Sequence, residues 1–453
     1  MVEKFWIAPR MDLLFTLLFA FGLLLVSVFR GVSIAYPLLC TLVLLSGVLL
    51  RRGFPLSTLL KFGWQGSCKA TPVFSILLLI GAVTSTWMAA GTVPAIVYYG
   101  IQWIHPQTFI LAAFLLTSLV SWLIGTSFGA AGTIGLALMI MAKGSQVNPH
   151  LLAGAVIAGA YWGDRCSPMS SSAHLIAAMT HTKLYSNIKH MLYSGWLPLG
   201  ISVLLYWGYS WLTPVQTEDW LSTELDRCFH LEAWALLPAG LILGLALLRV
   251  PAFRSMLLSI GMAIGLAVFG QGYSLGQVIQ FAIWGFELEI DTPIQSILLG
   301  GGMLSMARVC GIVLISTTIA GILSGTQSLQ IIERWLRPLR SRGHIFLGTM
   351  LVSGATSAFG CSQTIAILLT DQLMRDRYED QLTAADLAID LENTAVVIAP
   401  LIPWNIAGLV PATVLMTDWR FIPYAFYLYL VPVCVLLQLW QLPFRRSSSS
   451  PKS

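Results

Sequence analysis

The chain has 453 residues, is 57% hydrophobic and only 10% charged, and carries a net charge of +5. An ordinary soluble domain holds about 25% charged residues, so that class is excluded. Many apolar stretches approach the ~20 residues that cross a bilayer, which predicts an all-α polytopic membrane protein; the ~10-residue alternation of a membrane barrel is absent.

The scattered positive charge reads as membrane orientation and not as nucleic-acid binding. Residues 1–10, with Lys4 and Arg10, form a short cytoplasmic N-terminus. Met11–Phe29 is the first span; no small-residue cleavage site follows it, so it reads as a retained helix and not as a signal peptide. Gly31–Leu50 is the second, and Arg51, Arg52, Lys61 and Lys69 place the next loop inside. Thr71–Ala90 spans again. Pro94–Ile104 is too short to cross and is expected at the interface or part-way in. Phe109–Ala142 exceeds one span and is interrupted at Gly125–Thr133, with Lys143 marking an inner end. Leu151–Trp162 leads into the polar stretch Gly163–His174, and Met191–Leu212 spans once more. The acidic loop Thr217–Glu232 is placed outside.

A second half begins at Ala233. Ala233–Leu248 and Ser255–Gly270 form a helical pair with Arg249 and Arg254 inside, and Gln271–Gln295 is an outer connection carrying Glu287, Glu289 and Asp291. Cys310–Gly325 is followed by Arg334, Arg337, Arg340 and Arg342, a firm inside signal. Ile345–Leu369 is expected to cross outward, Leu382–Val410 is a second polar-interrupted segment, and Phe421–Trp440 returns inward. The Ser-rich tail 443–453 is expected to be cytoplasmic and disordered. Seven scattered cysteines with no CxxC motif argue against disulfides or zinc.

The halves resemble each other. Phe128–Ile134 and Phe359–Ile365 both read Phe-Gly-x-x-x-Thr-Ile, and Ser167-Pro168-Met169 aligns with Ala399-Pro400-Leu401 at nearly equal separation. The charge rule gives the two halves opposite directions, so residues 11–212 and 233–442 read as inverted-topology repeats joined by an external loop, 213–232, with broken helices or re-entrant hairpins. That pattern points to a secondary transporter. The breaks are expected at Gly129, Pro168, Gly360, Pro400 and Pro403. An Asp near mid-bilayer costs ~2.5–3.5 kcal/mol on insertion scales and persists only when buried in protein or facing a wet cavity.

Four polar elements should therefore meet near the midplane. Thr126, Ser127, Thr133, Ser167, Ser170, Ser171, Ser357, Ser362, Gln363 and Thr364 offer groups that suit a hard cation or a small carboxylate equally well. Asp164 is the leading charged candidate and the expected place for a Na⁺ site; its structural alternative is an ion pair with Arg165 or another cation. Asp390, Glu392 and Asn393 form the matching group in the second half. If helical, Asp390 and Asn393 share a face, and one acid should face the site while the other reaches the surface. A buried carboxyl can trade a proton for a cation. His174 could relay a proton or bind a carboxylate; Arg308 is expected to snorkel outward. Asn405 follows a rigid Pro400–Pro403 kink. No HExxH, GxSxG or Walker motif suggests an enzyme, and no cofactor is expected beyond the coupling ions H⁺ and Na⁺.

Gly159–Ser170 resembles the Gly-Ala-Tyr-Phe-Gly-Asp-Lys-x-Ser-Pro-Leu-Ser signature of NhaC-type sodium/proton antiporters, and Ala399–Gly408 resembles their Ser-Pro-Leu-Ile-Pro-Trp-Asn-x-x-Gly. Trp87–Pro94, Tyr99-Gly100 and Gly300–Met303 are similar to further family stretches. The resemblance implies a bacterial inner-membrane carrier with both termini cytoplasmic. Its fold would have inverted repeats and hairpins, and its partners would be the bilayer, a small ion or small organic substrate and a second copy of the chain. Known relatives exchange sodium for protons, or malate for lactate; others carry amino acids. The departures are Ser171 and His174 where the family has Asp and Asn, loss of an Arg before Asp390, Asn393 where the family often has Asp, and Ser362 in place of Asn. Sodium/proton exchange is the expected function. A coupled carrier of a small carboxylate or amino acid is the alternative, and a membrane assembly subunit a remote one.

Overall fold

The computed structural model describes residues 11–68, 70–103, 105–143, 147–213, 219–248, 250–288, 300–326 and 341–441. Residues 1–10, Lys69, Arg249, Glu289, Asp291, Arg334, Arg337, Arg340 and the tail 443–453 lie outside the described residues. Among those described the fold is all-α, with one isolated bridge between Phe286 and Gly300.

Helices α1 (Met11–Phe29), α2 (Ala35–Arg51), α3 (Leu56–Cys68), α4 (Thr71–Ala89) and α5 (Thr92–Trp103) precede the first break. α3 corrects the expected loop after Arg52: Leu59, Gly63, Gly66 and Ser67 form a buried stripe, and Ser67 meets Thr318 at 2.8 Å. Next come α6 (Phe109–Ile124), α7 (Ser127–Ala130), a π-turn at Ala131–Gly135, α8 (Leu136–Lys143), α9 (Pro149–Cys166), α10 (Ser171–Met179), α11 (Leu184–Leu212) and α12 (Asp219–Cys228). The second half holds α13 (Leu237–Leu247), α14 (Ala252–Phe269) and α15 (Leu275–Trp284). α15 opens on a Ser274–Gln277 capping box and lies in the stretch expected to be a plain connection. Then follow α16 (Ala307–Gly325), α17 (Arg342–Gly360), α18 (Gln363–Gln381), α19 (Ala384–Asn393), α20 (Ala395–Ile398), α21 (Ile406–Val414) and α22 (Phe426–Gln441). By length and composition Pro106–Ile124 and Met303–Gly325 can each cross a membrane, and Ala384–Leu401 with Ile406–Val414 makes a broken span bent by 52°.

The expected crossings Phe109–Ala142 and Ile345–Leu369 are instead helical hairpins. α6 lies parallel to α9, because Gly159 approaches Phe114 and Ser118, and Gly163 approaches Ser118, Ser121 and Trp122. Small residues four apart allow this backbone contact, and the Ser121 hydroxyl donates to the Ala160 carbonyl at 2.5 Å. α7 and α8 run the other way along α9: Ser127 meets Asp164, and Gly135 meets Val156. The chain therefore turns back at Gly125–Thr126. In the second half Thr349 pairs with Tyr378 at 2.9 Å and Thr356 with Thr370 at 2.8 Å, so α17 and α18 are antiparallel about Cys361-Ser362.

The broken helix α9–α10 is antiparallel to α19–α21. His150 meets Thr417, just past α21, at 2.9 Å, the Tyr161 hydroxyl donates to the Ala407 carbonyl at 2.7 Å, and the Arg165 guanidinium donates to Asn393 Oδ1. The two hairpins accordingly enter from opposite ends of the molecule. Lys143 and Arg342 stand at opposite ends, which overturns the expectation that both are inside. The charge rule put the two together because it treats a returning hairpin as a crossing. Single cysteines at Asn148 and Asp418 should react with an impermeant maleimide from one side of the membrane, and a cysteine at Asp380 only from the other. Labelling of all three from the same side would contradict this arrangement.

Candidate ion-binding site

The two hairpin tips share one backbone pattern. Gly125 (φ +72°) and Cys361 (φ +52°) are left-handed caps, Thr126 and Ser362 are extended, and Ser127 and Gln363 restart the helix. A left-handed conformation costs a residue with a Cβ ~1–2 kcal/mol, so at Cys361 the surrounding structure must impose it. The broken helices match as well: Ser170 and Asn405 are extended N-caps, their side chains accepting from the amides of Ala173 at 3.4 Å and Ala407 at 2.9 Å. This geometry pairs Gly125 with Cys361 and Ser170 with Asn405. It does not follow the sequence alignment of Phe128 with Phe359 and Pro168 with Pro400. The Phe-Gly-x-x-x-Thr-Ile match straddles the first tip differently from the second. Gly129 sits inside the helical turn Ser127–Ala130, whereas Gly360, Pro168, Pro400 and Pro403 do lie at or beside breaks.

Each tip is answered by the broken helix next to it. At the first, the Ser127 amide donates to Asp164 Oδ2 at 3.3 Å, the Ser127 and Ser170 hydroxyls flank that carboxyl, and Gly125 lies against Met169. The Ser167 hydroxyl accepts from the Met169 amide at 3.1 Å, and Thr126 and Thr133 bond within their own turns. At the second tip, Trp404 Nε1 donates to the Ala358 carbonyl at 2.7 Å, Asn405 Nδ2 to the Ser357 carbonyl at 2.8 Å, the Ile406 amide to the Cys361 carbonyl at 2.9 Å and Gln363 Nε2 to the Val396 carbonyl at 3.2 Å. Asn405 therefore braces a tip.

The charged residues divide into two groups. Asp164, Arg165 and Glu392 are buried, with Glu392 within electrostatic reach of both of the others. Asp164 and Arg165 form no ion pair. Arg165 is wholly buried and held by neutral groups: Nη1 donates to the Tyr427 hydroxyl at 2.7 Å, and Nη2 to Ser194 at 3.2 Å and to Asn393 Oδ1. Among the described residues Asp164 Oδ1, Arg165 Nε, Ser357 Oγ and both Glu392 carboxylate oxygens are buried without a hydrogen-bond partner. Asp390 is elsewhere: Arg342 grips its carboxylate with both Nη groups and Tyr378 donates to it. Of Asp390 and Glu392, one of which was expected to reach the surface, neither does; Asp390 is 1% and Glu392 0% exposed.

Ser171, His174 and Thr364 are exposed, and His174 Nδ1 donates to the Ser170 carbonyl at 2.7 Å, so none of the three joins this cluster. Ser362 and Gln363 are half-buried at the second tip, and Arg308 is exposed, as a snorkelling residue would be. Sequence reasoning missed Arg165 as a member in its own right and missed Tyr427; the available signal was a tyrosine inside the apolar run Phe421–Trp440. Among the described residues no three His, Cys, Asp or Glu side chains converge as a metal centre. The groups at Asp164 are hydroxyl, carboxylate and amide, and its oxygens suit a hard monovalent cation.

Fold and site together define a polytopic helical membrane protein whose helices break around buried carboxylates. The chain matches the Na⁺/H⁺ antiporter family over residues 1–179 and 159–440 and belongs to that family. It is 33% identical over 355 residues to an uncharacterized Na⁺/H⁺ antiporter of Haemophilus influenzae, covering 75% of this chain and 76% of the relative. It is 32% identical over 382 residues to the Na⁺/H⁺ antiporter NhaC of Alkalihalophilus pseudofirmus, covering 81% of each. It is also 26% identical over 429 residues to the malate-2H⁺/Na⁺-lactate antiporter of Bacillus subtilis, covering 92% of each.

The Asp390–Arg342 pair should be structural. Removing one partner of a buried pair typically costs about 3–5 kcal/mol, whereas a well-packed apolar replacement of both costs less. In detergent, Asp390→Leu alone should lower the melting temperature more than Asp390→Leu combined with Arg342→Met. The reverse order would show that the pair is not a unit.

Proposed function

We propose that this chain exchanges Na⁺ for H⁺, with Asp164 taking one cation or the other in turn. The observation that carries the reading is a carboxylate buried between a hairpin tip and a helix break, with one oxygen held by the Ser127 amide and the other unpartnered. An uncompensated buried charge is costly. A proton cancels it; so does a Na⁺ ion bound by the carboxylate and the Ser127 and Ser170 hydroxyls. Competition for one carboxylate is the simplest physical basis of exchange. Family membership and the NhaC relative support the same ions.

Residues 11–212 and 233–442 act in this reading as inverted repeats, and the hairpins as re-entrant elements reaching the mid-membrane from opposite faces. The antiparallel course of α9–α10 and α19–α21 and the matched tips support it. The arginine-rich end at Arg342 faces the cytoplasm, as do both termini, in a bacterial plasma membrane, and the His150–Asp418 end faces outward. Alternating access follows when the halves exchange conformations. A second reading, exchange of a small carboxylate, is favoured by the unpartnered Nε of Arg165 and by the malate/lactate relative.

Reconstituted in proteoliposomes, the protein should dissipate a pH gradient on addition of Na⁺. Asp164→Asn keeps the size and the acceptor for the Ser127 amide but loses the charge. A hydrogen bond or ligand contact to a charge is worth about 1.5–3 kcal/mol, so the apparent Na⁺ affinity should fall by at least about tenfold while the protein still purifies folded. Wild-type exchange in a folded Asp164→Asn protein would remove Asp164 from the site. Counterflow of organic acids without any Na⁺-driven pH change would favour the second reading.

A further inference from the structure

The buried centre contains more charge than one carboxylate, and its arrangement limits what a cycle can carry. Asp164 and Glu392 are acids and Arg165 is a base; all three are buried. On the same helix as Glu392, Asp390 is neutralised by Arg342, which lies 4.0 Å from the part-exposed Asp386. The other titratable groups against the cluster are Tyr161, Tyr427 and Cys166, which are ordinarily neutral near pH 7. Arg165 cannot leave: Tyr427, Ser194 and Asn393 hold it from three helices. Its neutral partners leave its charge uncancelled at short range, and Glu392 has no donor on either oxygen. Each is the other's available countercharge.

Building on the proposed Na⁺/H⁺ exchange at Asp164, we infer that the exchange is electroneutral, one Na⁺ against one H⁺, because Arg165 balances Glu392 and leaves a single unit of negative charge for a cation to fill. With Na⁺ at Asp164 the buried cluster is neutral. With a proton there it is again neutral. Protonating Glu392 as well would leave the guanidinium as an unpaired buried charge, the costly case. Asn393 fixes this count. An aspartate at that position would pair with Arg165, free Glu392 from that role and raise the uncancelled charge to two, so that one Na⁺ alone would no longer neutralise the cluster.

The test uses full-length protein in proteoliposomes with valinomycin and a tenfold K⁺ gradient of either direction. Na⁺-driven pH change at zero potential is measured first, and then the Na⁺ ratio at which exchange stops. A cycle moving one net charge shifts that ratio about tenfold under such a gradient, and a neutral cycle leaves it unmoved. The wild-type endpoint should not move. A wild-type endpoint that follows the K⁺ gradient overturns the inference while leaving Na⁺/H⁺ exchange standing. Absence of any Na⁺-driven pH change at zero potential overturns the exchange reading, and this inference with it.

Discussion

A helix that stops inside an apolar environment exposes amides and carbonyls that no water can satisfy, and the whole centre of this protein is arranged around that constraint. At Gly125–Ser127 the freed amide of Ser127 finds Asp164. At Ser357–Cys361 the freed carbonyls find Trp404, Asn405 and the amide of Ile406. Each hairpin tip is thus completed by a broken helix, and neither tip is stable in apolar surroundings without it. The same requirement explains the glycines of α9. Gly159 and Gly163 bring α6 close enough for its tip to reach Asp164, and a side chain at either position would collide with the α6 backbone.

The two tips are not chemically equal, and the difference assigns their roles. The second is closed by an amide, an indole and backbone groups, with no charge among the contacts that brace it. The first is closed by a carboxylate that keeps one oxygen in reserve. Polar satisfaction alone would have been met by a second asparagine. A charged group at an incompletely satisfied position is costly, and such groups persist where they have work to do. In the proposed exchange Asp164 is the group whose charge a cation answers, while Asn405 braces the second tip.

Charge elsewhere follows the same division. Asp390 and Arg342 form a bidentate pair backed by Tyr378, near the end of the molecule where hairpin α17–α18 begins and ends. Arg165 is treated differently. It is gripped by a phenol, a hydroxyl and an amide, which orient it without cancelling its charge. A guanidinium fixed in this way acts on Glu392 through the low-dielectric interior, where electrostatic effects reach further than in water.

Much of this was legible in the sequence because it is local. Apolar runs announced the helices, Pro168, Gly360, Pro400 and Pro403 announced breaks while Gly129, expected at one, lies within a helical turn, and an aspartate between apolar segments marked a candidate site. The long motifs Gly159–Ser170 and Ala399–Gly408 carried the family. What the sequence could not decide was pairing. A charged residue after an apolar segment looks the same whether the chain has crossed or turned back, so Lys143 and Arg342 were expected at one end and the folded chain separates them. A short repeated motif aligns two halves by letters, while the backbone aligns them by where a left-handed residue falls, and Cys361 hides that position behind a side chain. Spacing put Asp390, Glu392 and Asn393 together. Only the folded chain, by bringing Arg342 to one and Arg165 to another, separated a structural ion pair from a charged centre, because partners ~50 and ~230 residues away are set by long-range packing and not by local pattern.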